Sequence, residues 1–132
     1  MSVIAYIRKS TDKQSFEHQE YEIEQYAQKN NLKIDRWVEE SISSRKELKK
    51  RQLGKLLEEL KEGDVLIATE ISRLGRSLLE VMGILQTCLE KNCQVWTIKE
   101  SYNLKNDLQS QLLAAVFSIG ISLERSLLSQ RT

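Results

Sequence analysis

Two arginines three residues apart, Arg73 and Arg76, close the stretch EISRLGRS (residues 70–77). A third, Arg8, stands two residues before Ser10 in AYIRKST (residues 5–11). A serine hydroxyl among guanidinium groups suits attack on a phosphate ester. Each guanidinium stays charged and presents a planar fork of donors that matches phosphate oxygens. The serine oxygen would attack a phosphodiester, and the arginines would stabilise the charge of the pentacoordinate transition state. Each residue also has a plainer reading. Ser10 suits a turn or a helix N-cap, and Arg8-Lys9 suits a strand end meeting solvent. Arg73 and Arg76 suit a solvated helix start, although cations there oppose the helix dipole, which weighs toward function.

Other chemistries find less support. The acids near these residues, Asp12, Asp64 and Glu70, form no obvious metal-ligand set, so neither a metal nor another cofactor is expected. No GxxxxGK[ST] loop is present for a nucleotide. His18 is the only histidine; it reads as a surface helix residue, and a Ser-His-Asp triad has no support. Cys88 and Cys93 have four residues between them, outside any CxxC pattern, and read as two thiols of a reducing cytoplasm. The chain has no run of apolar residues long enough for a membrane span and no signal peptide at its start. With a net charge of +1 over 132 residues, any nucleic-acid-binding face has to be local.

The elements that position these residues follow from hydrophobic spacing. The length suits one domain with a real core. Val3 to Ile7 reads as a buried strand. Phe16, Gln19, Ile23, Tyr26 and Ala27 give an amphipathic helix over about 14–30, with Asn30-Asn31 as its stop. Leu32 to Val38 suggests a second strand, and residues 40–50 read as a polar loop; within and after it Arg45 to Arg51 suits a solvated loop and helix start or the tracking of a DNA backbone. Leu53, Leu56, Leu57 and Leu60 form a helical stripe ending at Gly63-Asp64, followed by a strand at Val65 to Thr69. A helix carrying Leu78, Leu79, Met82, Leu85 and Leu89 leads to a strand at Val95 to Ile98. This alternation predicts an α/β fold, a mostly parallel sheet of four to five strands covered by helices. Ligands of such sheets sit beyond the carboxyl ends of the strands, where Arg8 and Ser10 are delivered. Trp37 and Trp96 read as core or rim aromatics.

The last segment, about 107–131, predicts a long helix. Leu108, Leu112, Val116, Ile119, Leu123 and Leu127 form one seam, which Leu113, Phe117, Ile121 and Leu128 widen. So wide an apolar face predicts a subunit interface. The chain stops at Gln130-Arg131-Thr132 without a cap, so this helix reads as cut within a longer protein.

Three stretches resemble the resolvase/invertase family of serine site-specific recombinases, most closely its DNA-invertase-like members. YIRKSTDKQ resembles the family's Y-x-R-x-S-T-x-x-Q signature. GDVLIATEISRLGRS resembles its G-D-x-L followed by D-R-L-G-R-S. LERSLLSQRT resembles E-R-x-L-x-x-E-R-T on the long helix. The resemblance implies that Ser10 is the nucleophile, attaching covalently to a DNA 5′-phosphate, with Arg8, Arg73 and Arg76 around the scissile phosphate. It places Tyr6, Gln19 and Asp64 in the site, and Glu124 and Arg125 on the interface helix. A further arginine belongs before the leucine stripe; Arg51 is the first candidate and Arg45 the second. Resemblance also implies double-stranded DNA recombination sites as partners, a homodimer that becomes a synaptic tetramer, and a C-terminal helix-turn-helix domain absent from this chain. DNA inversion is the expected outcome.

The sequence departs from the family pattern in places. Ser72 occupies the position of the aspartate before R-L-G-R, which opens the question whether Glu70 or another acid covers its role. Ser43-Ser44 replaces a common S-G turn, Gln130 replaces the glutamate of E-R-T, and Lys9 adds charge where valine is common. Two other readings stay open on the residues alone. One is a catalytically silent dimerisation or regulatory module of the same fold. The other is a small-molecule phosphoryl-transfer domain.

Overall fold

The sheet is built around its two buried inner strands, the first and third in chain order. In the computed structural model, residues 1–9, 13–41, 51–75, 77–107, 110, 112, 113 and 116 are described. Strand β1 (Val3–Lys9) pairs in parallel with β2 (Arg36–Ser41) on one side and β3 (Val65–Ala68) on the other. Beyond β3 lie β4 (Gln94–Thr97), parallel, and β5 (Tyr102–Leu104), antiparallel, giving the order β2-β1-β3-β4-β5.

A strand buried on both faces needs apolar residues at odd and even positions alike. In β1, Ile4 and Tyr6 join one core, while Val3, Ala5 and Ile7 join the other. In β3, Leu66 and Ala68 go to the first and Val65 and Ile67 to the second. The first core is closed by α2 (Gln52–Glu59) through Leu53, Leu56 and Leu57, and by α3 (Leu78–Glu90) through Val81, Ile84, Leu85 and Cys88. The second is closed by α1 (Lys13–Lys29) through Ile23, with Trp37 and Trp96 half-buried at its flanks.

The α1 stop falls where Asn30-Asn31 predicts it. Asn31 adopts φ 55°, and the Leu32 amide donates to the Ala27 carbonyl at 2.8 Å, a left-handed helix ending that asparagine tolerates. β2 differs from expectation: Leu32 and Ile34 pack beneath the second core outside the ladder. Pairing starts at Ile4 with Arg36 and runs on to Lys9 with Ser41. The acids Glu39 and Glu40 disguised this strand end as loop. The short β5 was hidden for a similar reason, since three residues after a turn at Ser101 (φ 58°) carry no periodicity.

Residues Ile71–Arg73 form a 3-10 turn between β3 and α3. Of the last predicted helix, Ser110, Leu112, Leu113 and Val116 are helical. Its Asp107 Oδ1 accepts from the Ser110 amide at 2.8 Å, and that bonding holds the Asp107 carboxyl below its ordinary range. Leu108, Ile119, Leu123 and Leu127 of the seam, with Phe117, Ile121 and Leu128 beside it, lie outside the described residues. No helix among the described residues is long and apolar enough to cross a membrane.

Candidate active site

The parallel strands β1 to β4 end together at one sheet edge, and the side chains gathered there are mostly charged. Arg8, one residue before the end of β1, sits opposite Glu40 on β2 and is 6% exposed. Among the described residues its Nε has no hydrogen-bond partner. The Arg8 carbonyl accepts from Gln19 Nε2 at 3.0 Å, so α1 is fastened to the strand end through a buried amide.

Glu40 is the hub of this edge. Its Oε1 accepts from the Tyr6 hydroxyl at 3.0 Å, and its Oε2 accepts from the amides of Gln52 and Leu53 at 2.5 and 3.4 Å. The carboxylate therefore caps the orphan donors at the start of α2, as an acid at a helix N-terminus should. Burial pushes the Tyr6 phenol above its ordinary range. The charge of Glu40, and its acceptance of the phenol proton, push the same way, against Arg8 and Arg51. Tyr6 is thus a donor at any ordinary pH. Arg51 is 3% exposed; its Nη2 bonds Glu80 Oε1 and its Nε lies 3.8 Å from Glu40 Oε1. This guanidinium ties β2, α2 and α3 together.

The other half of the edge follows β3. Arg73 Nε lies 3.2 Å from Glu70 Oε1, and Lys99 Nζ lies 3.3 Å from Glu70 Oε2. Ile71 donates its amide to both Glu100 oxygens at 3.2 Å. Ser77 caps α3, its hydroxyl accepting from the Glu80 amide at 3.2 Å. Gly75 is required by close approach: a Cβ there would stand 2.9 Å from the Val81 nitrogen. A buried tyrosine, two buried arginines and a serine-capped helix thus gather around one strand end, and among the described residues no acid–histidine–cysteine group could hold a metal.

A family model described as the resolvase N-terminal domain matches residues 3–132. The chain belongs to the resolvase family. A resolvase of Clostridium perfringens is 34% identical over 134 residues, which span 98% of this chain and 67% of that protein. Serine recombinase PinR of Escherichia coli is 30% identical over 131 residues, spanning 98% and 66%. The N-terminal catalytic domain of TP901-1 integrase superimposes with a TM-score of 0.76 at 21% identity, covering 96% of this chain and 98% of that one. The chain thus spans about two thirds of the full relatives. Family and architecture identify a serine recombinase catalytic domain acting on DNA recombination sites, and small-molecule phosphoryl transfer is not favoured.

Within this resolvase-family domain the sequence-derived residues divide into three groups. Arg8, Tyr6, Gln19, Arg51 and Arg73 stand along the carboxyl edge of the sheet. Asp64 does not join them. It precedes β3, and Val65 pairs with Val3 at the opposite edge, about 16 Å from Arg8 at the usual rise of a strand. There Asp64 accepts from the amides of Ser2 and Lys61 at 3.0 and 2.9 Å. It closes the α2–β3 turn onto the chain start, away from the edge that holds Arg8. Ser10, Arg76, Arg45, Glu124 and Arg125 lie outside the described residues. Sequence reasoning missed Glu40 and passed over Glu80. The available signal was an acid ending a strand beside the one that carries Arg8.

Proposed function

We propose that this domain breaks and rejoins DNA by transesterification at Ser10. The Ser10 oxygen attacks the scissile phosphorus, forming a 5′-phosphoserine bond and releasing a 3′-hydroxyl. After strand exchange a 3′-hydroxyl attacks that phosphorus and Ser10 leaves with its proton restored. One phosphodiester is exchanged for another, so the energy is conserved and no nucleotide is consumed. The observation that carries this reading is Arg8, a buried guanidinium whose Nε has no partner among the described residues, at the strand end two residues before Ser10. A buried donor without an acceptor is costly unless the site awaits an anion.

In this reading Arg8, Arg73 and Arg76 bind the phosphate. Tyr6, Gln19 and Arg51 hold the strand end and helices in place, the last through Glu40 and Glu80. A homodimer on each recombination site, a synaptic tetramer, the interface role of Glu124 and Arg125, a following DNA-binding domain and a cytoplasmic setting belong to the same proposal. The relatives include resolvases of transposons and PinR; inversion remains our reading of the product.

The test uses the full-length protein on a plasmid carrying two copies of its site, recovered by sequencing DNA that the protein holds covalently in its cells. Inverted copies should yield inversion and direct copies little product. Efficient deletion between direct copies alone would replace inversion by resolution, and absence of any covalently held DNA would remove the mechanism.

A further inference from the structure

Ser72 stands where the family motif has an acid, and the turn that carries it holds an acid elsewhere. The turn Ile71–Arg73 is fastened to the chain beyond β4. Glu100 accepts from the Ile71 amide, and the Lys99 amide donates to the Thr69 carbonyl at 2.9 Å. Within that frame Ser72 is exposed. Glu70 is 23% exposed and uses both oxygens: Oε1 is 3.2 Å from Arg73 Nε, an atom without solvent contact, and Oε2 is 3.3 Å from Lys99 Nζ.

We propose that Glu70 is the positioning residue for Arg73, doing from position 70 what an acid at position 72 would do. This rests on the reading of Arg73 as a phosphate ligand. An arginine is long and rotamer-rich, so it is useful to a reaction only if its fork is held in place. Glu70 Oε1 stands 3.2 Å from Arg73 Nε as an ion pair, without the alignment of a hydrogen bond, and no other partner of the Arg73 side chain is present among the described residues. A guanidinium held at Nε keeps its two terminal nitrogens for the two oxygens of a phosphate. Lys99 completes the arrangement. Two cations share one carboxylate, so the trio keeps one net positive charge facing the substrate while the acid is neutralised.

The experiment compares wild type, Glu70→Gln and Ser10→Ala in the full-length protein, on a nicked duplex carrying its recombination site. Cleavage is followed in single turnover at saturating DNA, affinity by titration, and Arg73 by its Nε–H resonance. Glu70→Gln should cut the cleavage rate by roughly a hundredfold, the loss expected for a misplaced catalytic group. DNA affinity should stay within about twofold and the melting temperature should hold, since Glu70 touches the arginine and not the DNA. The Arg73 Nε–H resonance should shift between wild type and Glu70→Gln, because the substitution removes the carboxylate charge 3.2 Å from that nitrogen. Wild-type cleavage by Glu70→Gln would overturn the inference, as would a rate loss matched by equal losses of affinity and melting temperature. A Glu70-dependent Arg73 resonance with no Ser10 adduct in wild type would instead overturn the recombinase chemistry and leave the Glu70–Arg73 pairing standing.

Discussion

At the scale of the residue, the carboxyl edge of the sheet is organised by an acid rather than by the arginines that sequence patterns make conspicuous. Glu40 holds Tyr6, Arg51 and the first amides of α2 at once, so replacing one of its oxygens by an amide sets donor against donor. Glu40→Gln should cost about 3 kcal/mol of stability, as breaking a buried charge network does. Tyr6→Phe, which removes one donor to a charged acceptor, should cost about 2 kcal/mol. Urea unfolding measures both, and the double variant should lose less than the sum because the two share a bond. Equal, additive and negligible losses would mean that the edge is held by other contacts. Arg8 and Arg73 were legible in the sequence because arginine in short fixed patterns has few other uses. Glu40 was not, because an acid beside Glu39 and Ser41 looks like solvent-facing chain until the partner strand is known. Asp64 stood in an equally visible motif, yet its carboxylate serves the turn at the far edge.

At the scale of the element, buried strands and leucine-striped helices were readable because each carries its own period. Val3 to Ile7 and the Leu53, Leu56, Leu57 stripe depend on no knowledge of their partners. The limits of β2 and the presence of β5 depend on pairing with other strands, and pairing leaves little mark on a three- to six-residue segment. The junction between β3 and α3 supplies a test of opposite signs. Gly75→Ala would press its Cβ against the Val81 nitrogen at 2.9 Å and the Val81 Cγ2 at 3.1 Å. It should destabilise by about 1–3 kcal/mol, as overpacking does. Gly83→Ala, in the same helix with nothing within 4 Å of its Cβ, should stabilise by up to about 1 kcal/mol from helix propensity alone. Denaturant midpoints of the two variants should move in opposite directions; a common direction would contradict the packing described for α3.

At the scale of the whole molecule, two cores separated by a sheet keep protons that the unfolded chain would release. Burial, with Cys93 nearby, pushes the Cys88 thiol up from 9.0 to about 12, and burial pushes the Tyr6 phenol up from 10.0. Between pH 9.0 and about 12 the folded state therefore binds more protons than the unfolded state, and stability falls as pH rises through that window. Below it the contribution is intact. The melting temperature should hold near about pH 8 and decline steadily toward about pH 11, and Cys88→Ala should flatten the decline. A flat profile in wild type would mean that the α3 core admits water. The same architecture ends β1 with the buried Arg8, two residues before Ser10 in the sequence, and the proposed attack by Ser10 is the central claim. The most direct measurement is a denaturing gel of full-length wild type and Ser10→Ala incubated with a nicked duplex carrying the recombination site, with the adduct mapped by peptide sequencing. The account predicts a DNA-linked peptide containing phosphorylated Ser10 in wild type and none in Ser10→Ala. An adduct that persists in Ser10→Ala, or no adduct in wild type on DNA that it demonstrably binds, would contradict it.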